Sequence, residues 1–473
     1  MKPRRKHHNN LPSLSLLHLI SSQHLQLKHF KMPSKGTIVL TGANGGIGRA
    51  IVSQIRSSPE LSSYHAIYTV RDASSSLPPQ LDPQQKSNTN TQAFDTISLD
   101  LSNLASVRTT AASINARVTA GEIPPIRALI LNAGYHEMNI QSFTEDGFAT
   151  MFIANHLGNW LLVLLLLQSM DRDMGRIVVL GSKAHDPSLK QNALPFKDEK
   201  WRTMLHESTD PIANGTWSSF KEDPSYASGM RRYGASKLCL IMMIGELQRR
   251  LSTDPALSNI SILGVDPGAV PTNIARRSPF FIRVIIFQFI FPLIAAIQQW
   301  RNPTGNNTIR TPEKSARDVL AAAMDSNPVL GERPQGLYLD GSELAEVSPE
   351  ARDERKRLMV WRDSVSAYGP LIGTKLRYIY GSNPPIFVAA ALMLSRSDCA
   401  VVSTSTSSSA IQRVAAGVSG AEDWWQGLKR ECEDDVGDIF DGGNAGVPFF
   451  EGGFDDWAYT LFHDAHTPTE IVD

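Results

Sequence analysis

Short apolar runs alternating with longer segments of helical spacing predict an α/β fold: a doubly wound parallel sheet with helices on both faces, plus an extension at each end. The runs are apolar along their whole length rather than at every second residue, as strands are when helices cover both faces. A Gly-rich turn follows the first run directly, where such a sheet presents its ligand-binding edge.

The elements follow in order. Thr37–Leu40 reads as the first strand, and Arg49–Arg56 beyond the glycines has helical spacing. Ala66–Val70 is the second strand. The polar stretch from Ser74 to Gln92, with Pro78, Pro79 and Pro83, reads as a long loop, because proline supplies no backbone N–H to a strand or helix interior. Thr96–Leu99 is a third strand, Ser106–Val118 a helix and Arg127–Leu131 a fourth strand. Phe152–Ser169 is a long apolar helix, Arg176–Leu180 a fifth strand, Tyr233–Leu251 a helix and Ile260–Val265 a sixth strand.

With 473 residues the chain can hold one large α/β domain with additions, or two domains. The formal net charge of -1 gives no reason to expect nucleic acid as a partner. Cys239, Cys399 and Cys432 lie far apart and form no metal-ligand spacing, so a reducing compartment with free thiols and no metal is expected. Residues 1–35 carry Lys2, Arg4, Arg5, Lys6, Lys28, Lys31 and Lys35 but no acid. They read as a disordered tail, sequence upstream of a start at Met32, or a targeting peptide. A cytoplasmic protein is the simplest expectation, with mitochondrial targeting or membrane association as alternatives. Phe280–Trp300 is very apolar but interrupted by Arg283, Gln288 and Pro292. It reads as a pocket lid, a membrane-surface contact or a poor span. Residues 371–473 form an acidic extension, with Glu431, Glu433, Asp434, Asp435 and Asp438 among interspersed tryptophans and phenylalanines. The intervening 36–370 is the expected catalytic domain.

Several motifs carry chemistry. Thr41-Gly42-Ala43-Asn44-Gly45-Gly46-Ile47-Gly48 lies between strand and helix. Gly42 suits a tight turn, Gly46 and Gly48 let a pyrophosphate approach the backbone, and the helix N-terminus offers free N–H groups. At the end of the second strand, where an acid would hold a ribose 2′-hydroxyl, stands Arg71, which suits a 2′-phosphate; Arg49 can add a second charge, although Asp72 follows at once. Asn132-Ala133-Gly134 after the fourth strand would let a cofactor lie close to the sheet. Tyr233 and Lys237 stand four apart on a helix and so share a face. An ammonium there would favour the phenolate and lower a tyrosine pKa of about 10, giving an acid/base pair. Ser182, just after the fifth strand, could bond a reacting oxygen. Ala184 breaks the G-x-S-x-G pattern, which argues against a hydrolase nucleophile, and His185 reads as a loop residue.

Taken in this order, these features resemble the short-chain dehydrogenase/reductase family, from about residue 36 to about 370. The matching positions include Thr41–Gly48, Asp100-Leu101 after the third strand, Asn132-Ala133-Gly134, the helix asparagine Asn155, Ser182, and Tyr233 with Lys237. Asp266-Pro267-Gly268-Ala269-Val270-Pro271-Thr272 is similar to the family's PG motif. Asn155-His156-Leu157-Gly158, the Ser182-x-x-His185 pattern and Thr311-Pro312-Glu313 resemble retinol-dehydrogenase-like and fungal secondary-metabolism members. The segment between Ser182 and Tyr233 is longer than in minimal members. The resemblance implies a Rossmann-type fold and an NADP(H)-dependent oxidoreductase that interconverts an alcohol and a carbonyl on a small-molecule substrate. It implies Tyr233 as acid/base, Ser182 orienting the oxygen, Lys237 lowering the tyrosine pKa and holding the ribose, and Asn155 supporting a water relay. Pro267, Gly268, Val270 and Thr272 are implied beside the nicotinamide. A homo-oligomer stays open, as does a cofactor-binding sensor acting through the acidic tail.

Overall fold

The computed structural model describes residues 34–74, 81, 92–270, 291–302 and 305–367. The two terminal extensions, most of the Pro-rich loop, Thr272 and the first half of the 280–300 segment lie outside the described residues.

Within them, the apolar runs pair into one sheet. Its strands are β1 (Thr37–Leu40), β2 (His65–Val70), β3 (Phe94–Ser98), β4 (Ile126–Leu131), β5 (Arg176–Leu180), β6 (Ser261–Asp266), β7 (Tyr338–Asp340) and β8 (Glu343–Leu344). Their order is β3-β2-β1-β4-β5-β6-β7-β8. Every neighbouring pair is parallel except β7 with β8. The chain leaves β1 in one direction and returns in the other at β4, so a crevice opens between the carboxyl ends of these strands. The two last strands escape the sequence reading because runs of three and two residues carry no periodicity.

Among the described residues, seven long helices accompany the sheet: α1 (Gly46–Ser57), α2 (Leu104–Thr119), α3 (Thr150–Ser169), α4 (Tyr226–Thr253), α5 (Phe291–Arg301), α6 (Pro312–Met324) and α7 (Glu354–Ser366). Two apolar cores result. One packs α2, α3, α4 and α7 against one face through residues such as Ile114, Trp160, Leu247 and Trp361; the other packs α1 and α6 against the opposite face through Ile51, Ile55, Val319 and Leu320. The Rossmann-type fold is as predicted, with helix and strand ends shifted by a few residues. Helix α4 differs most, starting at Tyr226 rather than Tyr233, so the tyrosine–lysine pair lies inside the helix and not at its frayed end.

Helix α3 is the only helix among the described residues long and apolar enough to cross a membrane, yet it is almost wholly buried in the protein. The apolar sequence serves a core helix covered by the sheet on one side and by α2, α4 and α7 on others. Its path is tightly constrained at Gly158, where an added β-carbon would stand 2.2 Å from the carbonyl oxygen of Leu101. Alanine ordinarily favours a helix over glycine by about 1 kcal/mol. Here Gly158→Ala is expected to destabilise the fold by about 1–3 kcal/mol through overpacking, read from chemical denaturation midpoints. A neutral or stabilising result would show that α3 does not need this approach to β3.

Candidate active site

Every strand of the parallel sheet ends at the same edge, and that edge carries a cleft of about 610 Å³. Its floor is the turn after β1. Gly42 takes φ +68°, and a β-carbon there would lie 2.9 Å from the Cα of Ala133. At Gly48 a β-carbon would lie 2.3 Å from the Gly42 carbonyl oxygen, so α1 starts against the turn itself. The turn is tied to the loop after β4 from both sides: the Asn132 amide donates to the carbonyls of Thr41 and Gly42 at 2.8 and 3.1 Å, and the Ala133 N–H donates to the Thr41 hydroxyl at 3.0 Å. No acidic residue occupies the first turn of α1, so its N–H groups face the cleft with their positive dipole end uncompensated. The uncompensated N–H groups suit an anion such as a phosphate.

The cleft is lined by most of the residues singled out from sequence: Thr41, Gly42, Asn44, Gly46, Ile47, Gly48, Arg71, Asp100, Leu101, Asn132, Ala133, Gly134, Tyr233, Lys237 and Pro267. Arg71 stands at the end of β2 with its side chain half exposed, 3.9 Å from an Asp100 carboxylate oxygen and over the ring of Tyr135. The Asp72 carboxylate turns onto Ser74. Arg49 does not line the cleft; its guanidinium donates to the Asn44 carbonyl and so braces the turn. Gly268 takes φ +76°, its N–H bonding an Asp266 carboxylate oxygen at 2.7 Å, and Val270 is buried beyond it.

Tyr233 projects from α4 toward the end of β5. The Ser182 side chain lies close enough to its phenol to favour the ionised form. Lys237, one turn on, is buried and donates from Nζ to the Leu180 carbonyl at 2.9 Å. The two come close because Gly234 lets α4 press against the loop after β5: a β-carbon there would be 2.3 Å from the Ala184 carbonyl oxygen. The expected fall in the tyrosine pKa is not what this arrangement gives. Burial pushes the phenol up to about 12, with Ser182 pulling down and Asp266 adding a further upward push. Burial likewise pushes the lysine down to about 8, against the attraction of Asp266. The lysine charge is directed at a strand-end carbonyl, and the low-polarity surroundings dominate both groups.

Asn155 is fully buried in a π-helical turn, Ile153–Leu157, within α3. Its amide spans three partners: Oδ1 accepts from the Tyr135 N–H at 2.8 Å, while Nδ2 donates to the Tyr135 carbonyl at 2.8 Å and to the Ser236 hydroxyl at 3.0 Å. These contacts clamp the loop after β4 to the helix that carries Tyr233. The π turn, common at functional sites, has no signature in the sequence.

Sequence reasoning missed several neighbours. His185 is not a bystander: its Nε2 accepts the Ser348 N–H at 3.0 Å, which leaves Nδ1 to donate to the Ser182 carbonyl at 2.6 Å. Burial lowers its pKa, consistent with this neutral tautomer. Behind it, Asp340 takes Lys183 at 2.7 Å and Arg310 at 2.5 Å, and Arg310 also donates to the Asp266 carbonyl at 3.0 Å. Tyr135 and His136, immediately after the Asn132-Ala133-Gly134 turn, line the cleft as well.

Comparison with known proteins agrees with this architecture. The short chain dehydrogenase family model matches residues 36–193. A short-chain dehydrogenase, iccH, of Talaromyces variabilis is 44% identical over 353 residues, covering 71% of this chain and 96% of its own. Human retinol dehydrogenase 13 is 26% identical over 71% of this chain and 87% of its own, and the short chain dehydrogenase/reductase dpchH of Colletotrichum higginsianum 27% over 70% and 74%. The chain belongs to the short-chain dehydrogenase/reductase family and is an oxidoreductase of the nicotinamide-dependent class.

Removing the Asn155 amide would strand the Tyr135 N–H and carbonyl in a buried setting. Asn155→Ala is expected to cost about 1–3 kcal/mol for each group left unsatisfied. Thermal unfolding of the variant beside Asn155→Asp, which keeps only the acceptor, checks this. Equal stability of wild type and both variants would mean that the clamp is dispensable.

Proposed function

We propose that this chain is an NADP(H)-dependent oxidoreductase interconverting an alcohol with a ketone or aldehyde on a small, apolar substrate, with its catalytic unit within residues 36–370. The observation that carries the reading is that Tyr233 and Lys237 line the same cleft as the Gly-rich turn after β1, with Ser182 beside Tyr233 at the end of β5. The likeness to proteins named as dehydrogenases supports it.

When bound, the nicotinamide supplies or accepts the hydride, and the chain provides geometry and proton transfer. In the reducing direction the Tyr233 phenol gives its proton to the carbonyl oxygen as that oxygen becomes negative; in oxidation the phenolate takes the proton from the alcohol. Ser182 orients the oxygen with its hydroxyl, and His185 fixes the backbone of Ser182 from behind. Lys237 holds the ribose hydroxyls and, while charged, favours the phenolate. Arg71, at the rim after β2, pairs with a 2′-phosphate. A sensor working through the acidic tail gains no support from the comparisons, whose named relatives are dehydrogenases.

Two outcomes follow. Tyr233→Phe removes one oxygen and keeps the ring, so cofactor binding should survive while kcat falls about 10²–10⁴-fold. In the wild type, with a phenol near 12 and a lysine near 8, reduction should be fastest below about pH 8 and decline as Lys237 loses its charge. Oxidation needs the phenolate and should rise with pH. A Tyr233→Phe protein with near-normal turnover removes Tyr233 from the mechanism.

Arg71→Asp places a negative charge beside the phosphate. The loss of a charge-assisted bond worth about 1.5–3 kcal/mol should cut the NADPH-over-NADH preference in kcat/KM by about 10- to 100-fold. Equal use of both cofactors by the wild type would contradict the assignment.

A further inference from the structure

A second cavity, of about 170 Å³, lies across the sheet from the cleft, at the amino ends of the strands. It is lined by Arg127 near the start of β4, Arg176 at the start of β5 and Ser261 at the start of β6, each more than nine-tenths buried. The two arginines meet there through an irregularity of the sheet. Thr37 of β1 pairs with Ile126 and Ile38 with Ala128, so the register skips Arg127. An extra residue of this kind re-aims its side chain. Arg127 accordingly turns to the end of α6, where Arg176, opposite Ala128 on the next strand, also turns.

Both guanidiniums cap that helix end with one nitrogen each. Nη1 of Arg127 donates to the Ala323 carbonyl at 3.3 Å, and Nη1 of Arg176 to those of Ala322 and Asp325 at 2.9 and 2.8 Å. A helix end carries only about half an elementary charge, against two full positive charges. Among the described residues neither arginine forms an ion pair; Asp171 attracts Arg127 and Asp325 attracts Arg176 from farther off. Burial outweighs these attractions. It lowers the pKa of Arg127 and pushes that of Arg176 down to about 10, with the Arg127 charge adding to the second fall. Of the nitrogens left over, Nε of Arg127 is sealed, while Nη2 of Arg127 and both Nε and Nη2 of Arg176 stay open toward the cavity. Two buried like charges with free donors are stabilised by a counter-charge shared between them.

The lining limits what that counter-charge can be. The volume is well below the roughly 300–1,000 Å³ of sites for drug-sized ligands. Asp173 and Glu332 line the cavity as exposed residues, beside Arg333, which donates to Asn259 Oδ1 at 2.6 Å. Their carboxylates repel an extended polyanion, whereas a small anion can lie past them on the buried arginines. We propose that this cavity is a binding site for a phosphate-sized oxoanion, held between the guanidiniums of Arg127 and Arg176 at the edge of the sheet opposite the cleft. Adjacent strands run about 5 Å apart, so the two planar forks can share the oxygens of one tetrahedral dianion. The site is separate from the oxidoreductase chemistry, and either can stand without the other.

The test titrates the full chain with inorganic phosphate in a calorimeter, at an ionic strength held constant with sodium chloride, with and without NADPH. Wild type should bind one phosphate outside the cleft, with a Kd of about 1 mM or tighter, and its thermal unfolding midpoint should rise with phosphate as mass action requires. Arg176→Met keeps much of the side chain's length and removes the charge, and should weaken binding about tenfold or more. Because Arg176 also caps α6, that variant is paired with Glu332→Gln, an exposed change that leaves the cap alone. Removing the carboxylate should tighten phosphate severalfold, an effect that a purely structural role for the arginines would not give. Where Arg176→Met does not fold, Glu332→Gln decides. A phosphate that is lost on adding NADPH, or in Arg71→Ala, belongs to the cleft and overturns the proposal. So does a wild type that binds no phosphate at about 10 mM, ten times the expected Kd, or an affinity unchanged by Glu332→Gln and by a folded Arg176→Met.

Discussion

Backbone packed against backbone sets the depth of the cleft. At Gly42 against Ala133, Gly48 against the Gly42 carbonyl, Gly158 against Leu101 and Gly234 against Ala184, a single β-carbon would stand within 3 Å of a main-chain atom. The first two set the turn after β1 against the loop after β4 and the start of α1 against that turn, so the free N–H groups of α1 face the cleft. The third lets α3 lie close enough for Asn155 to reach the loop after β4. The fourth brings α4, with Tyr233 and Lys237, to the end of β5 where Ser182 waits. Core packing on either face of the sheet holds these contacts.

Around that frame the site is unusually rich in buried polar groups whose partners are supplied by distant strands. Asp340 on β7 takes two cations, Lys183 from the loop after β5 and Arg310 before α6. Burial opposes its ionisation, but these two partners outweigh burial and hold its carboxyl below the ordinary range. Asp266 has the opposite balance: burial raises its pKa, with the Gly268 N–H pulling the other way. Register explains the pairing, because β6 and β7 place Asp266 opposite Asp340. His185 joins Ser182 to the segment after β8 in a single tautomer. The loop that presents Ser182 is therefore fixed by the segment after β8 through His185.

The parts of this site that were legible in the sequence share one property: they are local. A Gly-rich turn after an apolar run, an arginine at a strand end, and a tyrosine and lysine one helical turn apart are each read within a few residues. The strand-end positions then follow from the βαβ order alone. What was not legible depends on residues far apart in the chain. The Lys237 ammonium bonds a carbonyl 57 positions away, so burial and not the neighbouring lysine governs the Tyr233 phenol. The π turn at Asn155, the role of His185 and the packing of His136 on Tyr233 arise from tertiary contacts with no periodic pattern. Arg49 looked like a phosphate ligand by position, yet its side chain closes the turn instead.

The central proposal is that the nicotinamide gives hydride to the substrate carbonyl carbon while Tyr233 gives the proton to its oxygen. The most direct measurement is isotopic. Reduction of a ketone by NADPH carrying deuterium at the transferred position should place deuterium on the new carbinol carbon, seen by mass spectrometry, and should slow about 10²–10⁴-fold in a Tyr233→Phe protein that still binds NADPH. Alcohol formed without deuterium, or labelled alcohol formed as fast by Tyr233→Phe, would contradict the account.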